Sequence, residues 1–378
     1  MLPAMGSRTR SGVALLAIGA AAAAQTFVVD ASNGPGANFT DLPAAVAAVP
    51  DGAVLDVRPG SYSPFAIASK GLSVIFQPGA LVQGPVLTLV SVTGTSAQQT
   101  VLLRGLQVAT YFGSGQVQFT NCQGLLLLED FNHAVGSNPT LAATNCIQLH
   151  AVRCHFGDSQ GFGSYNQLDH SSVVMCNSSF VGRSGPGSGL FTIACQLQLI
   201  DTSVAVSGFP SGPAISMQGG DLRMVGGSTY SFLSGFGISG TGTARIDPSV
   251  ALFGGPPSIS PSLQATFPTM PAVTATGGAL GTSVTVDLRG PAGDFGALLA
   301  GLPGPPLSFP GIADPSWMLP GTEVVCASTI LAAGTRLSIF VPVPNLASLR
   351  GTRIVWQGAS FSAANGLQAS NPAVTTHW

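Results

Sequence analysis

From residue 101 to residue 230 the chain repeats one short pattern of apolar and polar positions. Each unit reads apolar, any residue, apolar: Val101-Leu102-Leu103, Leu125-Leu126-Leu127, Leu149-His150-Ala151, Val173-Val174-Met175, Leu197-Gln198-Leu199 and Leu222-Arg223-Met224. Successive units start 24, 24, 24, 24 and 25 residues apart. Alternation with a period of two is the mark of a strand with one buried face. Seven residues after each start stands Val108, Asn132, Phe156, Phe180, Val204 or Thr229, mostly apolar again. The segments between, such as 182–189 and 208–213, are rich in Gly, Ser, Asn and Pro and read as turns. Helical periodicity is missing. Short strands repeating at this period predict an all-β fold, a right-handed parallel β-helix with one coil per repeat and the in-register apolar residues stacked into one long core.

The open end of such a rod exposes a sheet edge and needs cover. Residues 39–50 supply a candidate capping helix, with Thr40 as N-cap, Pro43 in the first turn, and Leu42, Val46 and Val49 on one face. After Gly254-Gly255-Pro256-Pro257 the repeat is lost. Short alternating segments follow at 283–288, 323–327, 336–341 and 353–357, separated by turns such as 301–306. Many short strands between Gly/Pro turns predict a β-sandwich. The expected organisation is a signal peptide over 1–24, a parallel β-helix over 25–255 and a β-sandwich over 256–378.

The opening resembles the start of proteins of the pectin-lyase-like β-helix superfamily, and of pectinesterases in particular. Val29-Asp30-Ala31, Asn38-Phe39-Thr40-Asp41-Leu42, Ala44-Ala45-Val46, the strand 54–57 and Pro59-Gly60-Ser61-Tyr62 carry the resemblance. It implies the fold. The family's catalytic motifs do not accompany it: the Leu-Gly-Arg-Pro-Trp motif, Gly-His-Gly and Asn-Thr-Asp are missing, and Leu168-Asp169-His170-Ser171-Ser172 lacks the tryptophan of the pectate-lyase segment it is similar to. The ending, with Val355-Trp356-Gln357 and Leu367-Gln368-Ala369-Ser370-Asn371, resembles C-terminal modules of exported planctomycete-type bacterial proteins.

Composition narrows the function. Only 7% of residues are charged, the net charge is −2, and Lys70 is the one lysine, so the electrostatic footprint of a nucleic-acid binder is absent. Arg8 and Arg10, the apolar stretch 13–23 and Ala22-Ala23-Ala24 before Gln25 read as a cleavable signal peptide. Its removal would leave 11 basic against 15 acidic residues, a net charge of −4, on a secreted, extracellular or cell-surface chain without a transmembrane helix. Export places Cys122, Cys146, Cys154, Cys176, Cys195 and Cys326 where disulfides are permitted. The coil spacing brings Cys122 and Cys146 into Cα range of a bond but leaves the Cβ atoms slightly too far apart, which favours stacked buried thiols. Cys326, alone in its domain, is expected as a buried free thiol. No Cys/His cluster has zinc spacing, and His133, His150 and His155 share no ligand register, so no cofactor is expected.

Four residues after each unit start, the repeat gives Gly105, Glu129, Arg153, Asn177, Asp201 and Gly226. Glu129, Arg153, Asn177 and Asp201 would form a polar ledge across coils. Two readings stand: a surface for an acidic or hydroxyl-rich glycan, or a solvated ladder whose ion pairs are worth about 0–1 kcal/mol. Thr120-Asn121-Cys122 and Thr144-Asn145-Cys146 align, predicting an Asn121–Asn145 amide ladder. Asp169 and His170 fall on the registers of Asn145 and Cys146, and a carboxylate beside an imidazole is the weak candidate for general acid–base work. His150, at an outward position, is expected at the surface. The outward Leu102, Leu126 and Val174 form an apolar stripe that needs cover, by loops, the second domain or a partner. The functional expectation is a non-catalytic protein contacting polysaccharide or envelope components. The alternative is a polysaccharide lyase or carbohydrate esterase on an acidic polysaccharide, with Ca2+ only in the lyase case.

Overall fold

The computed structural model describes residues 25–378, apart from 86–87, 110–115, 134–140, 158–165, 186–187, 233–234, 256, 313 and 335. The expected signal peptide lies outside these residues.

The chain winds into a parallel β-solenoid of about 8 turns, with about 24 residues per turn. This is consistent with the parallel β-helix superfamily. One coil illustrates the rest: Asn166–Asp169, Ser172–Cys176 and Ser179–Gly185 each pair in parallel with the equivalent strand of the next coil. The strands stack into three faces. The first face carries Val54–Val57, Leu72–Phe76, Thr100–Arg104, Leu125–Glu129, Gln148–Val152 and Ser172–Cys176 in spatial order, the second carries the strands that follow them, and the third those that precede them. Parallel pairing runs on to Gln264–Thr266, past the Gly/Pro break.

Inward residues of the first face stack in two columns, Leu72, Val101, Leu126, Leu149, Val173, Leu197, Leu222 and Val74, Leu103, Leu128, Ala151, Met175, Leu199, Met224, all within one apolar core. The leucine run at 125–128 corrects the expected register by one residue. Leu126 and Leu128 point inward, and Leu127 lies outward beside Leu102. The slip moves Asn132 to an exposed position. Its cause is the corner that follows. Between the first and second faces six successive coils turn through a left-handed residue: Gly105, Asp130, Arg153, Asn177, Asp201 and Gly226, with φ of 71, 54, 54, 50, 48 and 67°. Asp tolerates that conformation better than Glu because its short side chain bonds locally. Asp130 therefore takes the corner, and Glu129 stays on the strand.

A second corner, before the first face, stacks Ser69, Gly94, Asn121, Asn145, His170 and Ala194, all at positive φ. Here too the expected register moves by one: His170 aligns with Asn145, and Ser171 with Cys146. The amide ladder is present, Asn145 Nδ2 donating to Asn121 Oδ1 at 3.0 Å. Two stretches expected as turns carry strand instead, Ser179–Gly185 and Ser203–Ser211, because they extend the second face.

The helix Leu42–Ala48 buries Leu42, Ala45 and Val46 in the solenoid core. Its N-cap is Asp41 rather than Thr40. The Asp41 carboxylate accepts from the backbone of Leu42 and of Ser63, tying the cap to the first coil. No disulfide is formed. Cys122, Cys146, Cys154, Cys176 and Cys195 are buried free thiols, whereas Cys326 is exposed, because its strand, Val324–Ile330, is the edge of its sheet. Burial pushes Cys154 and Cys176 up to about 12.

From Ala272 the sheets are antiparallel and sandwich-like. Ala272–Gly277, Ser283–Arg289 and Leu337–Pro342 form one, and Val324–Ile330, Phe295–Gly301, Arg353–Ser362 and Gly366–Thr376 the other. Val273, Val286, Leu288, Leu298 and Trp356 fill the space between them. The expected turn at 301–306 is largely strand, as Pro303–Leu307 pairs with Ser316–Met318. These C-terminal sheets lie over the first face of the solenoid. Met270, Trp317, Met318, Val355 and Val374 pack on Leu102, Leu125, Leu127, Val174, Ile200 and Val225. The outward apolar stripe is thus covered from within the chain.

Candidate functional site

The outward middle column of the first face runs Val54, Ser73, Leu102, Leu127, His150, Val174, Gln198, Arg223, Arg245. It begins apolar and ends polar, and the C-terminal sheets cover almost all of it. His150 is 2% exposed, against the surface position expected for it. Its ring meets Trp317 in a T-shaped contact, 5.0 Å between centroids, and burial alone pushes its pKa down to about 3, so it is neutral.

Where the column turns polar, a groove of about 380 Å³ opens between solenoid and C-terminal sheets. Gln196, Gln198, Asp221, Arg223 and Arg245 line it from the coils, and Pro306, Ser308, Asp314 and Pro315 from the other side. The Asp314 carboxylate is clamped by two coils at once. Arg245 binds it through both terminal nitrogens at 3.0 and 2.6 Å, and Arg223 Nε stands 3.3 Å away. Arg223 is 1% exposed. It donates to the carbonyl of Pro271, but its Nε is off hydrogen-bonding geometry and its Nη1 has no partner. Gln198 Oε1, on the neighbouring coil, also lacks one. Burial lowers the Arg223 pKa, and Asp314 opposes that shift. An unpaired buried polar group costs about 1–3 kcal/mol, so the groove floor holds unspent hydrogen-bonding capacity of both signs. Its rim, Gln196, Asp221 and Ser308, is exposed.

The ledge residues are drawn into a different task. Glu129 is 3% exposed. It pairs with Arg104 at 2.7 Å and accepts from Thr376 of the last strand at 3.2 Å. Burial pushes its carboxyl up, and Arg104 then Arg153 draw it back. Arg104 also stacks on the Trp378 ring at 3.9 Å and reaches Asp130 at 3.2 Å. Arg153 pairs with Asp130 at 2.6 Å rather than with Glu129, which holds its unusual backbone conformation in place. Asp201 binds Arg289 of the C-terminal sheets at 2.7 Å. The approach needs Gly226 beside it, since a Cβ there would lie 2.1 Å from the Asp201 carboxylate and 2.8 Å from Arg289. Glu129 and Asp201 are therefore clamps between solenoid and sheets. Asn177 remains an exposed corner residue.

Asp169 and His170 sit at the other corner, with His170 Nδ1 2.5 Å from Asp169 Oδ1 and the imidazole 62% exposed. The strand Ser172–Cys176 separates this corner from the ledge by about 20 Å at some 3.3 Å per residue. The two candidate sets do not converge on one centre. Among the described residues no group of three or more His, Cys, Asp or Glu side chains is placed to hold a metal. Sequence reading missed the groove because Asp314, Ser308 and the two prolines come from a segment without repeat register. No protein-family model matches the chain, and a comparison with curated proteins finds no match.

Proposed function

We propose that the protein is exported, acts outside the cell or at its surface without catalysing a reaction, and contacts polysaccharide or another envelope component through the groove between solenoid and C-terminal sheets. The observation that carries this reading is the groove floor. Gln198 and Arg223 hold unmet hydrogen-bonding capacity beside an exposed polar rim, which is the chemistry a hydroxyl-bearing ligand satisfies. The charged, apolar and small-residue series at the amino terminus supports export. We read the helix Leu42–Ala48 as the cap of the first coil, on the burial of Leu42, Ala45 and Val46.

The alternative is a polysaccharide lyase or carbohydrate esterase, and the Asp169–His170 hydrogen bond favours it. A lyase would also need its substrate's charge neutralised, usually by calcium. Retention of the full chain on immobilised acidic and neutral polysaccharides, with and without calcium and with mass analysis of the supernatant, separates the two. Retention without new products is the expected result. A shortened, unsaturated or de-esterified product that disappears in Asp169→Ala would replace this reading with the enzyme.

A further inference from the structure

The charges lining the groove balance: Arg223 and Arg245 against Asp221 and Asp314. They are also spoken for. Asp314 binds both terminal nitrogens of Arg245 and stands 3.3 Å from Arg223 Nε, and Asp221 accepts from Thr243 on the next coil. We infer that the groove selects an uncharged, hydroxyl-rich saccharide and discriminates against uronates and other acidic sugars. This rests on the groove being the binding site.

A carboxylate entering here would meet two fixed carboxylates, Asp221 and Asp314, in a lining with no net positive charge to offset its own. Desolvating a third negative charge beside them is unfavourable. A sugar hydroxyl faces no such penalty, because it donates and accepts at once. The floor side chains Gln198 and Arg223 keep one unpaired acceptor, Oε1, and one unpaired donor, Nη1, the two capacities a hydroxyl matches. These two buried side chains belong to neighbouring coils in register. The exposed Gln196, Asp221 and Ser308 are left for hydroxyls nearer the rim. Pro306 and Pro315 offer apolar surface to the C–H faces of a pyranose ring. The volume, about 380 Å³, lies at the lower end of small-molecule sites. Because the C-terminal part supplies four of the ten lining residues, selection belongs to the junction and not to the solenoid alone.

Calorimetric titration of the full chain with the neutral disaccharides cellobiose, maltose and chitobiose, and with digalacturonate as the charged counterpart, tests the inference. At least one neutral sugar is expected to bind about tenfold or more tightly than digalacturonate. Gln196→Ala and Ser308→Ala, both at the exposed rim, are expected to weaken that binding about three- to tenfold at unchanged melting temperature. Digalacturonate binding as tightly as the neutral sugars, and weakening in the same two variants, would overturn the selectivity while leaving the groove as the site. Absence of binding by every sugar, or binding that neither variant alters, would remove the groove reading itself.

Discussion

His150 shows how one side chain can report the state of the whole junction. It stands in its column between Leu127 and Val174, its Nε2 has no partner, and Trp317 packs against it. Its folded-state value of about 3 lies below the ordinary 6.5, so the unfolded chain takes up the proton first. Stability is accordingly lost as pH falls from about 6.5 toward 3, by up to roughly 4–5 kcal/mol from this group. His150→Leu, similar in volume and without a titratable ring, is expected to flatten the pH dependence of the urea midpoint across that window. An unchanged slope would mean the imidazole is not sealed. Val101, Leu149, Val173, Leu197 and Leu222 mark the core column plainly, but four consecutive leucines at 125–128 carry no register of their own. The signal that settles it is Asp130, which fits a left-handed corner as Glu129 does not; alignment on Gly105, Asn177, Asp201 and Gly226 would have found it.

At the level of elements, the cross-coil ion pairs work as fasteners between the strand ladder and the C-terminal strands. Arg104 joins Glu129, Asp130 and the Trp378 ring, and Glu129 in turn receives Thr376. Removing one partner of a buried pair strands the other charge. Arg104→Ala is therefore expected to cost about 3–5 kcal/mol in urea unfolding, whereas Arg104→Leu with Glu129→Leu should recover most of the loss. A single variant within 0.5 kcal/mol of the parent, about the scatter of ordinary surface substitutions, would show the pair to be solvated. The coil strands were readable from their period, and the antiparallel strands at 283–289, 324–330 and 337–342 from their alternation. Phe295–Gly301 and Pro303–Leu307 were not, because Gly and Pro within them imitate turns.

For the molecule as a whole, the first face is the meeting ground of a repetitive architecture and a non-repetitive one. Apolar residues predominate along one length of it and are sealed by Trp317, Met318, Val355 and Val374; polar residues at the other leave a groove. The need for cover was visible in Leu102 and Val174. The groove was invisible, since Arg223 and Arg245 look scattered until Asp314 arrives from 69 residues beyond Arg245. Catalysis at the Asp169–His170 corner would place a ligand just before the first face, and binding at the junction places it on that face in the coils beyond, so location decides between them. The most direct measurement is amide hydrogen exchange of the full chain with and without the neutral disaccharide that binds. Added protection is expected in segments 196–198, 221–223, 243–245, 304–312 and 314–318, with none centred on Asp169 and His170. Protection centred on 167–172, with the junction segments unchanged, would contradict it.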